Sequence, residues 1–147
     1  MPEQTYDRLS LAKKQLDTAL DLALDAKSYA SALTLGGAAE EIFGNALKLN
    51  GEKSAMDEAY EQMSEFYTAL WSEHLDRKVF VSQENAARNA LKHLQANEGP
   101  TITIDLQTAT CWMLARAIQN GRKLGFDFER YIDFDSWFHE HIVGRQA

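Results

Sequence analysis

The sequence predicts an all-α fold, an up-and-down bundle of five to six helices. Three observations carry that prediction. Apolar residues recur at steps of three and four through most of the chain, which is the amphipathic helical period. The two prolines, Pro2 and Pro100, leave long stretches free to be helical. Glycine and asparagine mark the breaks between periodic segments. The 147 residues, 45% hydrophobic and 25% charged, suit one soluble globular domain, with a core over about 5–123 and an aromatic tail over 126–147 packed on it.

The first helix is expected over about Thr5–Asp25, where Tyr6, Leu9, Leu16, Ala19, Leu20 and Ala23 fall on one face. After a break near Ala26–Ser28, a second helix is expected over Tyr29–Leu49, "YASALTLGGAAEEIFGNALKL". Asn50-Gly51 stops it, because both residues tolerate the left-handed backbone that ends helices. Ser54, with Asp57 three residues on, opens a third helix by a capping-box pattern. Ala55, Ala59, Met63, Phe66, Leu70 and Trp71 form its expected buried stripe, and it ends near His74.

"RKVFVSQ" reads as a short apolar stretch leading to Ser82, the expected N-cap of a fourth helix that ends before Asn97-Glu98-Gly99-Pro100. "TITID" is briefly extended, and Asp105 caps a fifth helix over Leu106–Lys123. From Asp127 the tail is rich in aromatic residues, expected to pack across the body as one or two short helices.

Composition narrows function. The net charge of −7 lacks the basic surplus of proteins that hold nucleic acid mainly by neutralising phosphates. Phosphate chemistry would therefore need a small local positive site. The one cysteine, Cys111, cannot form an internal disulfide and reads as core. No secretory signal is read at "MPEQTYDRLS", and no apolar run approaches the roughly 20 residues that span a bilayer. A cytoplasmic protein without a membrane partner is expected.

Two segments hold candidate chemistry. On the second helix Gly37, Glu41, Gly44 and Lys48 share one narrow strip. A glycine inside a helix costs about 1 kcal/mol relative to alanine, so two on one strip imply close approach of another group. That group is a neighbouring helix of the same chain, a second subunit, or a ligand in a cleft floored by Glu40 or Glu41. On the fourth helix Ala86, Ala87, Ala90, Leu91 and Leu94 make the apolar face. His93 borders it and is expected to be partly buried. Asn85, Asn89 and Lys92 lie opposite, and Arg88 lies on the far flank, one turn after Glu84, with which it can pair. Arg88 and His93 diverge by about 140° on an ideal helix. They converge on one target only in a distorted helix or across a twofold axis.

Other clusters are weaker. In His139-Glu140-His141 adjacent helical residues point apart, and no second histidine follows at zincin spacing. No metal or cofactor is expected.

"RNALKH", Arg88 to His93, resembles the signature of the HEPN superfamily: an arginine, then a polar residue, with a histidine four to six residues after the arginine. The earlier helix "SALTLGGAAEEIFGNAL", with its acidic residues, fits the same pattern. The chain is also similar to small bacterial proteins that join a "SALTLGGAAEEI" helix to "ARNALKH". The resemblance covers roughly the first 120 residues. It implies a metal-independent ribonuclease acting as a homodimer, in a toxin-like or defence-related role, with an antitoxin or another protein as partner. His93 would serve as general base or acid in attack of an RNA 2′-hydroxyl on phosphorus. Arg88 would stabilise phosphoryl charge, and Asn89 would orient the phosphate or the histidine. Glu40, Glu41 and Lys92 would support them, Gly37 and Gly44 would lie at the interface, and the products would carry 2′,3′-cyclic phosphate ends. Because some HEPN domains lack nuclease activity, the resemblance also implies an alternative, a non-catalytic dimerisation or binding module.

Overall fold

A computed structural model describes residues 1–144. Seven α-helices run through them: α1 (Arg8–Leu24), α2 (Tyr29–Leu49), α3 (Ala55–Trp71), α4 (Arg77–Glu84), α5 (Ala86–Lys92), α6 (Leu106–Lys123) and α7 (Tyr131–Phe138). A π-helical turn follows over His139–Val143. There is no strand among the described residues, so the all-α class stands, with more helices than the five or six expected. The last three residues of the aromatic tail, 145–147, lie outside the described residues.

Local chemistry explains where the helices begin and end. Asp7 accepts the Ser10 N–H at 2.9 Å and starts α1. Ser54 accepts the Asp57 N–H while Asp57 accepts the Ser54 N–H, closing the capping box at the head of α3. Asp105 accepts the Thr108 N–H at 3.1 Å and starts α6. At the end of α2, Gly51 takes φ +76°, which lets the Glu52 N–H reach the Leu47 carbonyl at 2.8 Å.

The core has α2 at its centre, between α1 and α6. Leu16 and Leu20 of α1, Leu33, Phe43 and Leu47 of α2, and Met113 and Leu114 of α6 are all essentially inaccessible. Phe128, Phe134, Phe138 and Ile142, all buried, join the same core cluster from the tail. Cys111 is buried as well, and burial pushes its thiol pKa up to about 12.

Three expectations are corrected. The fourth helix is two: Asp76, not Ser82, caps α4 by accepting the Val79 N–H at 3.0 Å. Asn85, at φ −102° and ψ 4°, then separates α4 from α5, as suits a short amide that competes for backbone hydrogen bonds. The third helix stops at Trp71, because Ser72 turns left-handed at φ 55°. Finally, the stripe of α3 is not a core face. Ala55 and Met56 are buried, but Met63, Phe66, Leu70 and Trp71 are 46%, 61%, 58% and 65% exposed.

Tethering accounts for that last result. Only the first turns of α3 are tied to α6, through the Ala55 N–H to Asn120 Oδ1 at 2.7 Å and Gln119 to Glu58 at 2.7 Å. Farther along, α3 is accompanied by α4. Tyr60 packs on Phe80 and donates to the Leu75 carbonyl, and Arg77 lies over the Tyr60 ring and pairs with Asp57. This α3–α4 hairpin stands off α6 and leaves a groove of about 660 Å³, walled by Met63, Phe66, Phe80 and Trp112.

Candidate functional site

The break at Asn85 decides how the "RNALKH" segment is presented. It lays α5 against α2 and turns Arg88 inward. An ideal Cβ on Gly37 would meet Arg88 Cδ at 2.6 Å. The group that approaches the Gly37 strip is therefore a side chain of the same chain. Gly44 is covered in the same way, by Asn120 and Ser54. Beyond Gly37 the Arg88 guanidinium reaches Glu41 at 3.5 Å and Glu40 at 3.9 Å. The expected partner, Glu84, belongs instead to Arg116 at 3.4 Å, because the two sides of Asn85 no longer share one helical register.

Arg116 joins these residues into one cluster. Its Nε lies 3.8 Å from Glu40, so Glu40 sits between two guanidinium groups. Glu40 is 6% and Arg116 8% exposed. The contacts are looser than the 2.7–2.9 Å of charge-assisted hydrogen bonds, and the Nε atoms of both Arg88 and Arg116 are buried without a hydrogen-bond partner among the described residues. Burial raises the Glu40 pKa against the opposing pull of Arg116 and Arg88. Burial likewise lowers that of Arg116, against Glu40 and Glu84.

The remaining motif residues face elsewhere. Asn89, Lys92 and His93 are exposed, so the partial burial expected for His93 is corrected. The helix ends at Lys92, and His93 is already extended at φ −130°, ψ 140°. Asn89 and His93 line an open depression of about 430 Å³ together with Ala86, Ala90, Gln95 and Glu98. Arg88 lines a different hollow of about 150 Å³ with Glu40, Glu41, Gly44, Asn45 and Lys48. The apolar face of α5 contributes no buried residue: Leu91 is 37% and Leu94 72% exposed.

No family model, curated sequence or solved structure matches the chain.

Chemically, Arg88 is held among carboxylates, which offset the charge a phosphate would seek. His93 and Asn89 are exposed on another face. Glu40 and Glu41 pair with Arg88, while Lys92 is exposed. No group of three or more metal-ligating side chains occurs among the described residues. His139 and His141 instead donate through Nδ1 to carbonyls one turn back, Asp135 at 2.9 Å and Trp137 at 3.0 Å. No helix among the described residues is long and apolar enough to cross a membrane.

Sequence reasoning missed Arg116 and Asn120, and it gave Glu84 to Arg88 rather than to Arg116. Asn120, fully buried, donates to the Glu40 carbonyl at 3.3 Å and accepts from Ala55, joining α2, α3 and α6. A usable signal existed for both missed residues. Arg116 and Asn120 sit at helical steps on the same face as Met113 and Ala117, polar residues set into an apolar stripe.

Proposed function

We propose that this chain is a non-catalytic helical binding module, built on a HEPN-like bundle and acting through the face of the α3–α4 hairpin. The observation that carries this reading is the apolar stripe of α3, bare from Met63 to Trp71 beside an apolar-walled groove. A monomer seldom leaves contiguous apolar surface uncovered without a use for it. The internal use of Arg88 supports the same reading, since a guanidinium matched by Glu40 and Glu41 acts as a strut between α2 and α5.

A second reading is favoured by one specific observation. Asn89 and His93 of the Arg-Asn-x3-His segment line one open depression, which suits the metal-independent ribonuclease that the resemblance implies, with the Arg88 of a second copy completing the site. Incubating the purified protein with a varied RNA panel in chelator separates the two readings, with His93→Ala and Arg88→Ala alongside. The binding module predicts no cleavage beyond that of the His93→Ala protein. Cleavage that leaves 2′,3′-cyclic phosphate ends and disappears in both variants would overturn it in favour of the nuclease.

A further inference from the structure

The face of α3 is continuous, although its cover is not. Ala55 and Met56 lie under the body, and the same side of the helix carries on through Met63, Phe66 and Leu70 into solvent. Across the groove stands Trp112, 39% exposed and held edge-on against Phe138 at 5.0 Å. We infer that the occupant of this face is a second copy of this chain, with α3 of each copy lying in the α3–α6 groove of the other about a twofold axis. The inference rests on the binding-module reading and names its partner.

Three features select a second copy. First, the stripe and the groove share residues. Met63 and Phe66 belong to the exposed stripe and also wall the groove. A twofold interface requires one patch to serve as both donor and receiver.

Second, the charge on this face suits a like partner. Two copies carrying −7 each repel across most of their surfaces. In the groove the carboxylates are matched, Glu58 by Lys123 and Glu84 by Arg116. Glu61 and Glu65 lie about 130° or more around α3 from the centre of the stripe, and Glu61 is further paired with Lys53. A strongly basic or acidic partner finds no complementary field here, whereas an identical, locally neutral face meets no repulsion.

Third, the area is adequate. Met63, Phe66, Leu70, Trp71 and Trp112, each roughly half uncovered, offer on the order of 500 Å² per copy. With polar rim residues added, this approaches the roughly 800 Å² per partner of a standard interface.

Sedimentation equilibrium on the full chain tests the inference, from sub-micromolar to about 100 µM protein, for the wild type, Phe66→Glu and Leu70→Glu. The expected result is a reversible monomer–dimer equilibrium in the wild type. Each substitution should weaken it by at least about thirtyfold, the scale of a central interface residue. Helical circular dichroism should stay unchanged, since neither side chain belongs to the core. A cross-linking arm covers the case in which the charged variants misfold. Phe66→Cys, near the proposed axis, should form an intermolecular disulfide with its own copy, and Thr68→Cys, on the far side of α3, should not; Cys111, being buried, gives no background.

A wild type that stays monomeric at 100 µM overturns the second copy as occupant and leaves the binding-module reading standing, with a different partner. A dimer that survives both charged variants, or one that cross-links equally through Thr68→Cys, places the contact on another face and also overturns the inference. RNA cleavage lost in the His93→Ala and Arg88→Ala proteins is the separate result that removes the parent reading.

Discussion

Gly37 and Arg88 are one structural unit at the scale of single residues. Arg88 passes over α2 only because Gly37 has no Cβ to obstruct its Cδ, 2.6 Å from where that atom would be. Gly37→Ala in the wild type must push Arg88 away from Glu40 and Glu41, at a cost of about 1 kcal/mol or more. In an Arg88→Ala background the obstruction is gone. The same change should then stabilise α2 by up to about 1 kcal/mol, the propensity difference between the two residues. A double-mutant cycle by urea unfolding checks this, and additive effects would mean that the two sites are independent. The sequence flagged Gly37 correctly as a point of close approach. It could not name what approached, because a helical wheel treats Arg88 as solvent-facing until α5 is laid on α2.

At the scale of helices, the elements whose ends are set by neighbouring residues were legible. The ranges of α2 and α6 follow from Asn50-Gly51, Asp105 and the apolar period. The fate of α3 was not legible, because periodicity reveals a face that can be buried without revealing whether another helix reaches it. Ala59 and Phe66 satisfy the pattern equally well, yet the ties to α6 involve only the first turns. On a helical wheel Asn85 is one more polar position of a single helix, whereas it is the residue at which that helix breaks.

The ties at the head of α3 can be ranked. Ser54→Ala removes a cap and should cost about 1 kcal/mol. Asn120→Leu leaves the Ala55 N–H buried without its acceptor and also loses the bond to Glu40, for roughly 3 kcal/mol. Chemical denaturation of the two variants side by side tests the order. A larger loss for Ser54→Ala than for Asn120→Leu would show that the cap, rather than the buried amide, is the main anchor of the hairpin.

At the scale of the whole molecule, the cluster around Glu40 shapes the dependence of stability on pH. The folded pKa of Glu40 is raised above the ordinary 4.5 by burial, which Arg116 and Arg88 only partly oppose. The folded state therefore holds the proton more tightly than the unfolded state. The contribution of Glu40 is fully present below pH 4.5 and is lost as pH rises through the folded pKa. Asp57 behaves oppositely. Burial resists its ionisation, but the hydrogen bonds from Arg77 and Ser54 outweigh that and hold its pKa below 3.8; its contribution is lost in acid. Comparing Glu40→Gln with the wild type isolates the first effect. The variant should be at least as stable as the wild type at pH 7, with its advantage shrinking towards pH 4. A variant clearly weaker at pH 7 would mean that pairing with the arginines outweighs burial.

The contacts of Asn120 also bear on which parts of the chain can change in length. By bonding Ala55 and Glu40, residues 65 and 80 positions earlier, Asn120 closes a large loop that contains the hairpin and the segment around His93. Closure entropy grows only with the logarithm of loop length, about 0.6 kcal/mol for each doubling. A few residues inserted between Leu94 and Ile104, an exposed stretch outside any helix, would barely alter it. One residue inserted within α6 before Asn120 would rotate that amide by about 100° and release both strands of the knot at once. The loop before α6 is thus free to vary in length, while the register of α6 is not.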